Sequence, residues 1–326
     1  MDAPAVEAAL TRAAHAIAGS SSVALACHVN PDGDALGSML ALHHALLRAG
    51  WESVASFPTP FEVATHYREL PGLDLLAPPS AFPAEPDVMV TFDCGALGRL
   101  GDLEPAAKAA GELVVLDHHV SNTRFGTINV IDPSSAATGV LVRRLMERLA
   151  LPLDRDSAVC LYAALVCDTG RFQYETTTAE VFDLASELVT FDVPVPRLSR
   201  ALFEEHRFAY LQLLGEALTR AVLVPDLRFV WTAIRQSDLH RFGVSIDEVE
   251  GLVDVLRRTA EAEVTCVLKE EADGSIRVSL RSLGAVDVRR IAQVEGGGGH
   301  RFAAGFTSLD GVEATVARVQ AALGAL

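Results

Sequence analysis

The chain has 326 residues, half of them apolar and 21% charged, which excludes intrinsic disorder and predicts two domains. Its formal charge of −16, from 27 basic and 43 acidic residues, excludes a general polyanion binder coated in Lys and Arg. The five cysteines form no CxxC pair and are odd in number, which argues against a disulfide framework and for a reducing compartment. In chain order, residues 22–27 read as a buried strand, and 35–49 as a helix ended by Gly50. Residues 87–92 and 112–116 read as two more buried strands, and 136–149, 156–166 and 179–189 as helices. Strands alternating with helices predict a parallel sheet covered on both faces. Two prolines in residues 191–196 break that pattern, and 197–222 then reads as one long connecting helix. Further strands are expected at 229–234, 263–268 and 275–281, the last two joined by a turn at 271–274. Helices are expected at 246–257, 287–294 and 311–323. The fold class is therefore α/β. An N-terminal parallel-sheet domain with helices on both faces covers 1–190, a helical linker covers 191–222, and a smaller mixed-sheet domain covers 223–326. Neither a signal peptide nor a membrane span is evident, so a soluble cytoplasmic protein is expected.

The polar residues fall where the apolar runs stop. The first strand runs into His28, Asn30, Asp32 and Asp34; the second ends at Asp93; the third ends at Asp117, His118 and His119. The apolar helix before residue 167 delivers Asp168. In an open parallel sheet, ligands bind beyond the carboxyl ends of the strands. A single Asp after a strand is usually a helix cap or a turn residue. Four such positions at one sheet edge are better explained by metal binding. Carboxylates take hard divalent cations, and imidazole tilts the choice toward Mn or another transition metal. Four Asp and two His suit two adjacent ions, which can clamp a phosphoryl group. The pair His43-His44 lies mid-helix without an acidic partner and reads as core. Cys27, Cys94 and Cys167 adjoin the polar residues and read as small buried filler rather than as a thiolate zinc site.

The pattern His28-x-x-x-Asp32-x-Asp34, Asp93, Asp117-His118-His119 and Asp168-Thr169-Gly170 resembles the motifs of the DHH phosphoesterase superfamily, over roughly residues 15–190. That resemblance implies cleavage of phosphoester or phosphoanhydride bonds with two Mn2+ ions, Mg2+ or Co2+ being substitutes. It implies that His28, Asp32 and Asp93 hold one ion. Asp34, Asp93, His118 and Asp168 hold the other, with Asp93 bridging. The implied catalytic set is His119, Asp93 and Asp117: Asp117 orients a histidine, and His119 contacts the scissile phosphate or assists proton transfer. Arg99 is expected to help neutralise phosphate.

The run Gly296-Gly297-Gly298-Gly299-His300 stands before Arg301-Phe302-Ala303-Ala304-Gly305. Bare glycine backbone lets a phosphate or a base approach closely. Most glycine runs are linkers, but this one sits inside a domain. It resembles the GGGH signature of the DHH-associated C-terminal domain, over roughly residues 215–326. The resemblance implies substrate binding by Gly297, Gly298, Gly299 and His300. Arg281 and Ser282, at a strand end, join that set, with Arg281 as a phosphate anchor. Arg277, Arg289 and Arg290 read as solvated surface charges, and Phe302 as core.

Size then sorts the branches. The RecJ-type exonucleases carry extra nucleic-acid-binding domains, the membrane-bound cyclic dinucleotide phosphodiesterases carry transmembrane regions, and the family II pyrophosphatases lack the glycine loop. The compact two-domain branch, the NrnA-type oligoribonucleases, remains. It implies degradation of very short RNA and linear dinucleotides such as pApA to mononucleotides, with phosphatase activity on 3′-phosphoadenosine 5′-phosphate (pAp). A cyclic di-AMP phosphodiesterase, a pyrophosphatase or polyphosphatase, and a non-catalytic binding protein stay open. The expected partners are short RNA oligonucleotides and nucleotides, with no long duplex and no membrane. A homodimer is expected from the resemblance alone.

Overall fold

The computed structural model describes residues 3–325. The chain forms two compact units, residues 1–202 and 203–326. In the first, α1 (Ala3–Ala18) precedes β1 (Ser22–Cys27), α2 (Gly33–Arg48) and β2 (Glu52–Ser56). A stretch of short turns leads to β3 (Val88–Phe92), α3 (Glu104–Ala109), β4 (Glu112–Asp117) and β5 (Ile128–Ile131). Four helices follow: α4 (Thr138–Arg148), α5 (Arg155–Asp168), α6 (Ala179–Val189) and α7 (Val195–Phe203).

The five strands form one all-parallel sheet in the order β2-β1-β3-β4-β5. Its central strands are near-continuous apolar runs, with Thr91 the buried polar residue within β3, because both faces are covered. On one face Ala24, Ala26, Met89, Leu113 and Val115 pack against Leu100, Leu103, Ala106 and Ala107. The alternating residues Leu25, Val90 and Val114 are also fully buried, and α2 and α4 lie against β1, β3 and β4. Helix α5 is buried all round from Ser157 to Val166, which explains its lack of a polar face. It packs tightly on α2 because Gly37 carries no side chain. A Cβ there would stand 2.4 Å from the Cys160 carbonyl oxygen.

The second unit holds α8 (Phe208–Thr219), β6 (Val222–Val224), β7 (Phe229–Ile234), α9 (Gln236–Phe242) and α10 (Leu252–Leu256). Then come β8 (Val264–Glu270), β9 (Ile276–Ser282), α11 (Val288–Val294), β10 (Gly298–His300), β11 (Ala303–Ser308) and α12 (Val312–Gly324). Its six-stranded sheet has the order β10-β11-β9-β8-β7-β6 and is mixed, with β7 and β8 parallel and the other neighbours antiparallel. Val288, Ile291, Val312 and Val316 cover one face. Tyr210, Leu213, Leu239, Leu252 and Val253 cover Val230, Ile234 and Val267 on the other. The turn joining β8 to β9 forms as expected, with Gly274 left-handed (φ 85°) and Asp273 accepting from the Ser275 amide.

Two expectations fail. Residues 197–222 do not form one helix: α7 stops at Phe203, α8 starts at Phe208, and β6 follows. Glu204 and Glu205 lie just past the C-terminal end of α7, where negative charge opposes the helix dipole. The helix expected over 246–257 is a 3-10 turn, Asp247–Val249, followed by the short α10, with Gly251 between them. Helices α1, α3 and α9 and the strands β2, β5, β6, β10 and β11 are not among the expected elements. β2, β5, β6 and β10 are sheet-edge strands, where packing on a neighbour outweighs local pattern, whereas β11 lies between β10 and β9.

Candidate metal centre

The carboxyl ends of β1, β3 and β4 deliver His28, Asp93 and the run Asp117-His118-His119, and the ends of two helices complete the set. Asn30 and Asp93 both take left-handed backbone (φ 51° and 54°), which Asn and Asp tolerate better than most residues. At Asp93 this turns the chain off the sheet and leaves a buried carboxylate on the strand end. Its Oδ1 lies 3.5 Å from His118 Nε2 and 3.4 Å from His119 Nδ1, and accepts from the Thr138 hydroxyl at 3.2 Å. Its Oδ2 lies 3.5 Å from His28 Nε2. Three imidazoles therefore converge on one carboxylate.

Asp32 is the N-cap of α2, with Oδ1 accepting from the amides of Asp34 (3.1 Å) and Ala35 (3.0 Å). The capping role is thus real, and it uses one of the two oxygens. Asp34 is fully buried and its carboxylate is itself a cap, for a different helix. Helix α4 opens on Thr138 with Ala137 at the cap position and no side-chain cap of its own. The Thr138 amide donates to Asp34 Oδ2 (2.6 Å), and the Gly139 amide to Oδ1 (3.0 Å). Ser38 adds a hydroxyl donor to Oδ1 at 2.9 Å. The positive end of α4 thereby holds a carboxylate of α2 in place.

His118 is 5% exposed and its Nδ1 lies 3.1 Å from the Ser135 carbonyl. A carbonyl only accepts, so in the neutral ring the proton sits on Nδ1 and the Nε2 lone pair points at carboxylates. Nε2 is 2.9 Å from Asp168, the last residue of α5, 3.5 Å from Asp93 and 3.8 Å from Asp34. Asp117 is spent within the protein. Its Oδ1 accepts from the amides of His118 (2.8 Å) and His119 (3.1 Å) and stands 2.7 Å from His119 Nδ1. Its Oδ2 accepts from the Asn122 carboxamide. Such a carboxylate fixes the orientation of an imidazole.

Within this unit, donor atoms of three groups lie within 4.8 Å of one another: His28, Asp32 and Asp93; Asp34, Asp93 and His118; Asp93, Asp117 and His119. The first has the members of one expected set; the second has those of the other without Asp168, whose carboxylate lies 2.9 Å from His118 Nε2. Asp93 is common to all three.

The electrostatics show what such crowding costs. Burial, with the charges of Asp168 and Asp93, pushes the Asp34 carboxyl well above its ordinary range. Burial and Asp93 raise Asp32 as well. Burial also opposes ionisation of Asp93, but His119, His118 and His28 outweigh it and hold that carboxyl well below the usual range. The imidazoles respond in kind. Burial opposes the charge on His119, and Asp93 and Asp117 overcome it, lifting its pKa to about 9. For His118, burial is overcome by Asp168 and Asp93, and its pKa rises well above the ordinary value. Protons on the imidazoles thus counter an excess of buried negative charge. Divalent cations fit the same demand, with oxygen and imidazole ligands already gathered. The thiols do not compete. Burial raises Cys27 and Cys167 far above the thiol range and Cys94 to about 12, which leaves them as un-ionised filler.

Arg99 sits in a turn (Leu97–Leu103) with its Nη2 2.9 Å from His28 Nδ1. The other expected substrate residues belong to the second unit. Gly298–His300 form β10, paired with β11 so that His300 faces Ala303. The glycines differ in what the fold asks of them. A Cβ on Gly297 would stand 2.1 Å from the Gly305 carbonyl oxygen, and one on Gly299, where φ is +133°, 2.5 Å from the Ala303 carbonyl oxygen. A Cβ on Gly298 would meet nothing within 4 Å. Arg281 Nε donates to Asp254 (3.1 Å) and its Nη1 to the Leu280 carbonyl (3.1 Å). Ser282 is buried, with its hydroxyl donating to Glu263 at 2.9 Å and accepting from the Gly284 amide. Both residues are thus engaged within the second unit.

Sequence reasoning missed Thr138, Gly139, Ser38, Ser135 and Asn122, which hold the acidic and imidazole groups in place. One signal was available for the first two: a helix that starts after Ala-Ala, with no capping side chain, needs an acceptor from elsewhere. Nothing local marks the other three.

Residues 22–165 match the profile of the DHH family, N-terminal domain, and residues 228–325 match that of the DHHA1 domain. The chain is 32% identical over 285 residues to a bifunctional oligoribonuclease and PAP phosphatase NrnA of Thermus thermophilus, an alignment covering 87% of this chain and 83% of that protein. It is 27% identical to the protein of the same name in Bacillus subtilis, covering 85% and 86%. Among solved structures, an exopolyphosphatase-related protein from Bacteroides fragilis superposes with a TM-score of 0.89 at 25% identity, covering 98% of this chain and 96% of the other. Motifs, fold and relatives agree: the chain belongs to the DHH family of phosphoesterases and carries a DHHA1 domain.

Proposed function

We propose that this chain is a Mn-dependent phosphodiesterase that degrades very short RNA and linear dinucleotides such as pApA to mononucleotides and dephosphorylates pAp. The observation that carries the reading is the convergence of three imidazoles on Asp93 beside three further carboxylates, in a chain whose relatives are named for these two activities. His28, Asp32 and Asp93 would hold one ion, and Asp34, Asp93, His118 and Asp168 the other. When bound, the cations supply charge neutralisation at the phosphorus and an activated water as nucleophile.

The rest is the work of this chain's own groups. Asp117 accepts from His119 Nδ1, which fixes the ring and turns Nε2 away from it. In this reading the ring carries a proton on both nitrogens, and Nε2 donates a hydrogen bond to the scissile phosphate or a proton to the departing oxygen. Gly298 leaves its backbone open to the nucleotide, and His300 beside it adds a donor. The formal charge of −16 favours short substrates, since a long strand asks for an extended basic groove. Among the described residues no helix is long and apolar enough to cross a membrane.

The test is a product time course with Mn2+ on pAp, pApA, cyclic di-AMP, pyrophosphate, and a short and a long RNA. Mononucleotides from pApA and the short RNA, with phosphate from pAp, are the expected result. Cleavage of pyrophosphate without cleavage of pApA would assign the chain to the phosphoanhydride branch instead.

A further inference from the structure

The hairpin of the second unit turns on two residues that its geometry does not ask for. His300 pairs with Ala303, so Arg301 and Phe302 are the whole turn between β10 and β11. Two-residue hairpin turns favour Gly, Asn or Asp, because the best-matched types need left-handed backbone. Neither Arg301 nor Phe302 takes it. Phe302 is also not the core residue expected from the sequence. It is partly buried and belongs to neither apolar cluster of this sheet, whereas Ala304 and Phe306 belong to one. The Arg301 guanidinium lies over its ring instead, 4.9 Å from the centroid. Arg281, Arg289 and Arg290 of the same unit each pair with an aspartate. Among the described residues no carboxylate pairs with the exposed Arg301. The turn is also pinned at the backbone: the Ser282 amide donates to the Phe302 carbonyl and the Val288 amide to the Arg301 carbonyl, both at 2.9 Å. A ring and a planar cation thus stand on fixed backbone directly after His300, with that ordering complete before any ligand arrives.

We propose that Arg301 and Phe302 form a platform on which a nucleobase stacks. Aromatic rings and guanidinium planes are the surfaces that take unpaired bases, since every base has a π face. A stacked guanidinium keeps N–H groups at its edge for a phosphate oxygen, so the pair suits a whole nucleotide. Recognition by stacking favours a purine over a pyrimidine through contact area and is otherwise tolerant of sequence. The inference rests on reading the glycine hairpin as a nucleotide site, and its test separates the two.

The test is calorimetric titration of the full chain with AMP, UMP and ribose 5-phosphate, the last a nucleotide without its base. Wild type should bind AMP more tightly than UMP, and both more tightly than ribose 5-phosphate. Phe302→Leu should weaken AMP about tenfold, within the range of one base–aromatic stack, and leave ribose 5-phosphate where it was. Phe302→Tyr should restore AMP. Arg301→Gln should weaken AMP too, and Arg301→Lys, which keeps the charge and loses the plane, should not restore it. Unchanged AMP binding in Phe302→Leu overturns the platform, as does a wild type that binds AMP no better than ribose 5-phosphate. Equal losses for those two ligands overturn it as well, since they report a packing defect of the hairpin. Turnover separates the platform from the nuclease reading. Cleavage of pApA with the same KM in wild type and Phe302→Leu overturns the platform and leaves the reading. The AMP pattern without cleavage of pApA keeps the platform and overturns the reading.

Discussion

The strand-end centre of the first unit and the glycine hairpin of the second solve opposite problems. In the centre, ionisable groups are packed against one another and almost every atom is held: Asp34 by three donors, Asp117 by four contacts, His118 by a carbonyl. In the hairpin, function is expected from what is missing. Two glycines are demanded by the pairing of β10 with β11, and Gly298 is demanded by nothing in the fold. Fixed charge needs a crowded, over-determined support, whereas a bare backbone needs only one open position.

The sharpest way to break the comparison is at the point of greatest crowding. Asp93→Asn should abolish Mn-dependent turnover on pApA by well over the ~10²-fold typical of outer-sphere partners. It should also lower Mn2+ stoichiometry in equilibrium dialysis. Turnover within tenfold of wild type would remove Asp93 from the centre.

Thr138→Val probes the support rather than the ligands. It removes the hydroxyl from Asp93 while keeping the amide on Asp34. Mn2+ affinity should weaken about 10–100-fold, and Thr138→Ser should restore it. Equal loss in both variants would point to a packing defect.

The hairpin is broken by two neighbouring alanines. Gly297→Ala forces a Cβ onto the Gly305 carbonyl and should cost about 1–3 kcal/mol in urea unfolding. Gly298→Ala should stay within about 0.5 kcal/mol of wild type yet raise KM for pApA. Equal stabilities for the two would show that β10 does not pair as described.

A smaller effect sharpens the electrostatic side. His119 has an ordinary pKa of 6.5, raised to about 9 in the folded protein. A raised pKa means that the stabilisation is fully present below 6.5 and is lost as pH climbs through about 9. The metal-free protein should therefore lose thermal stability over that window. Saturating Mn2+, which replaces the protons, should flatten the slope. Metal-free stability that rises over the same window would contradict the charge balance described here.

Much of this was legible in the sequence, for a physical reason. Buried parallel strands are near-continuous apolar runs, so the residues that end them stand out. His28, Asp93 and Asp117 to His119 could be placed at one sheet edge without coordinates. Asp168 followed from the end of an all-apolar helix. The supports were not legible, because Ser135 lies 17 residues from His118, and Thr138 lies 45 and 104 residues from Asp93 and Asp34, so only folding brings these groups together. The split between α7 and α8 went unread because apolar spacing continued on both sides of Glu204 and Glu205, and the end charge was not weighed. Arg281 and Ser282 stood where the motif put them, but their bonds to Asp254 and Glu263 depend on strand and helix neighbours that no local pattern shows.

The central claim is that Asp93 is shared by two ions. Crystals grown with Mn2+ and measured at the manganese absorption edge test it most directly. The account predicts two anomalous peaks flanking the Asp93 carboxylate, one beside His28 and Asp32 and one beside Asp34, His118 and Asp168. A single peak, or peaks away from Asp93, would contradict it.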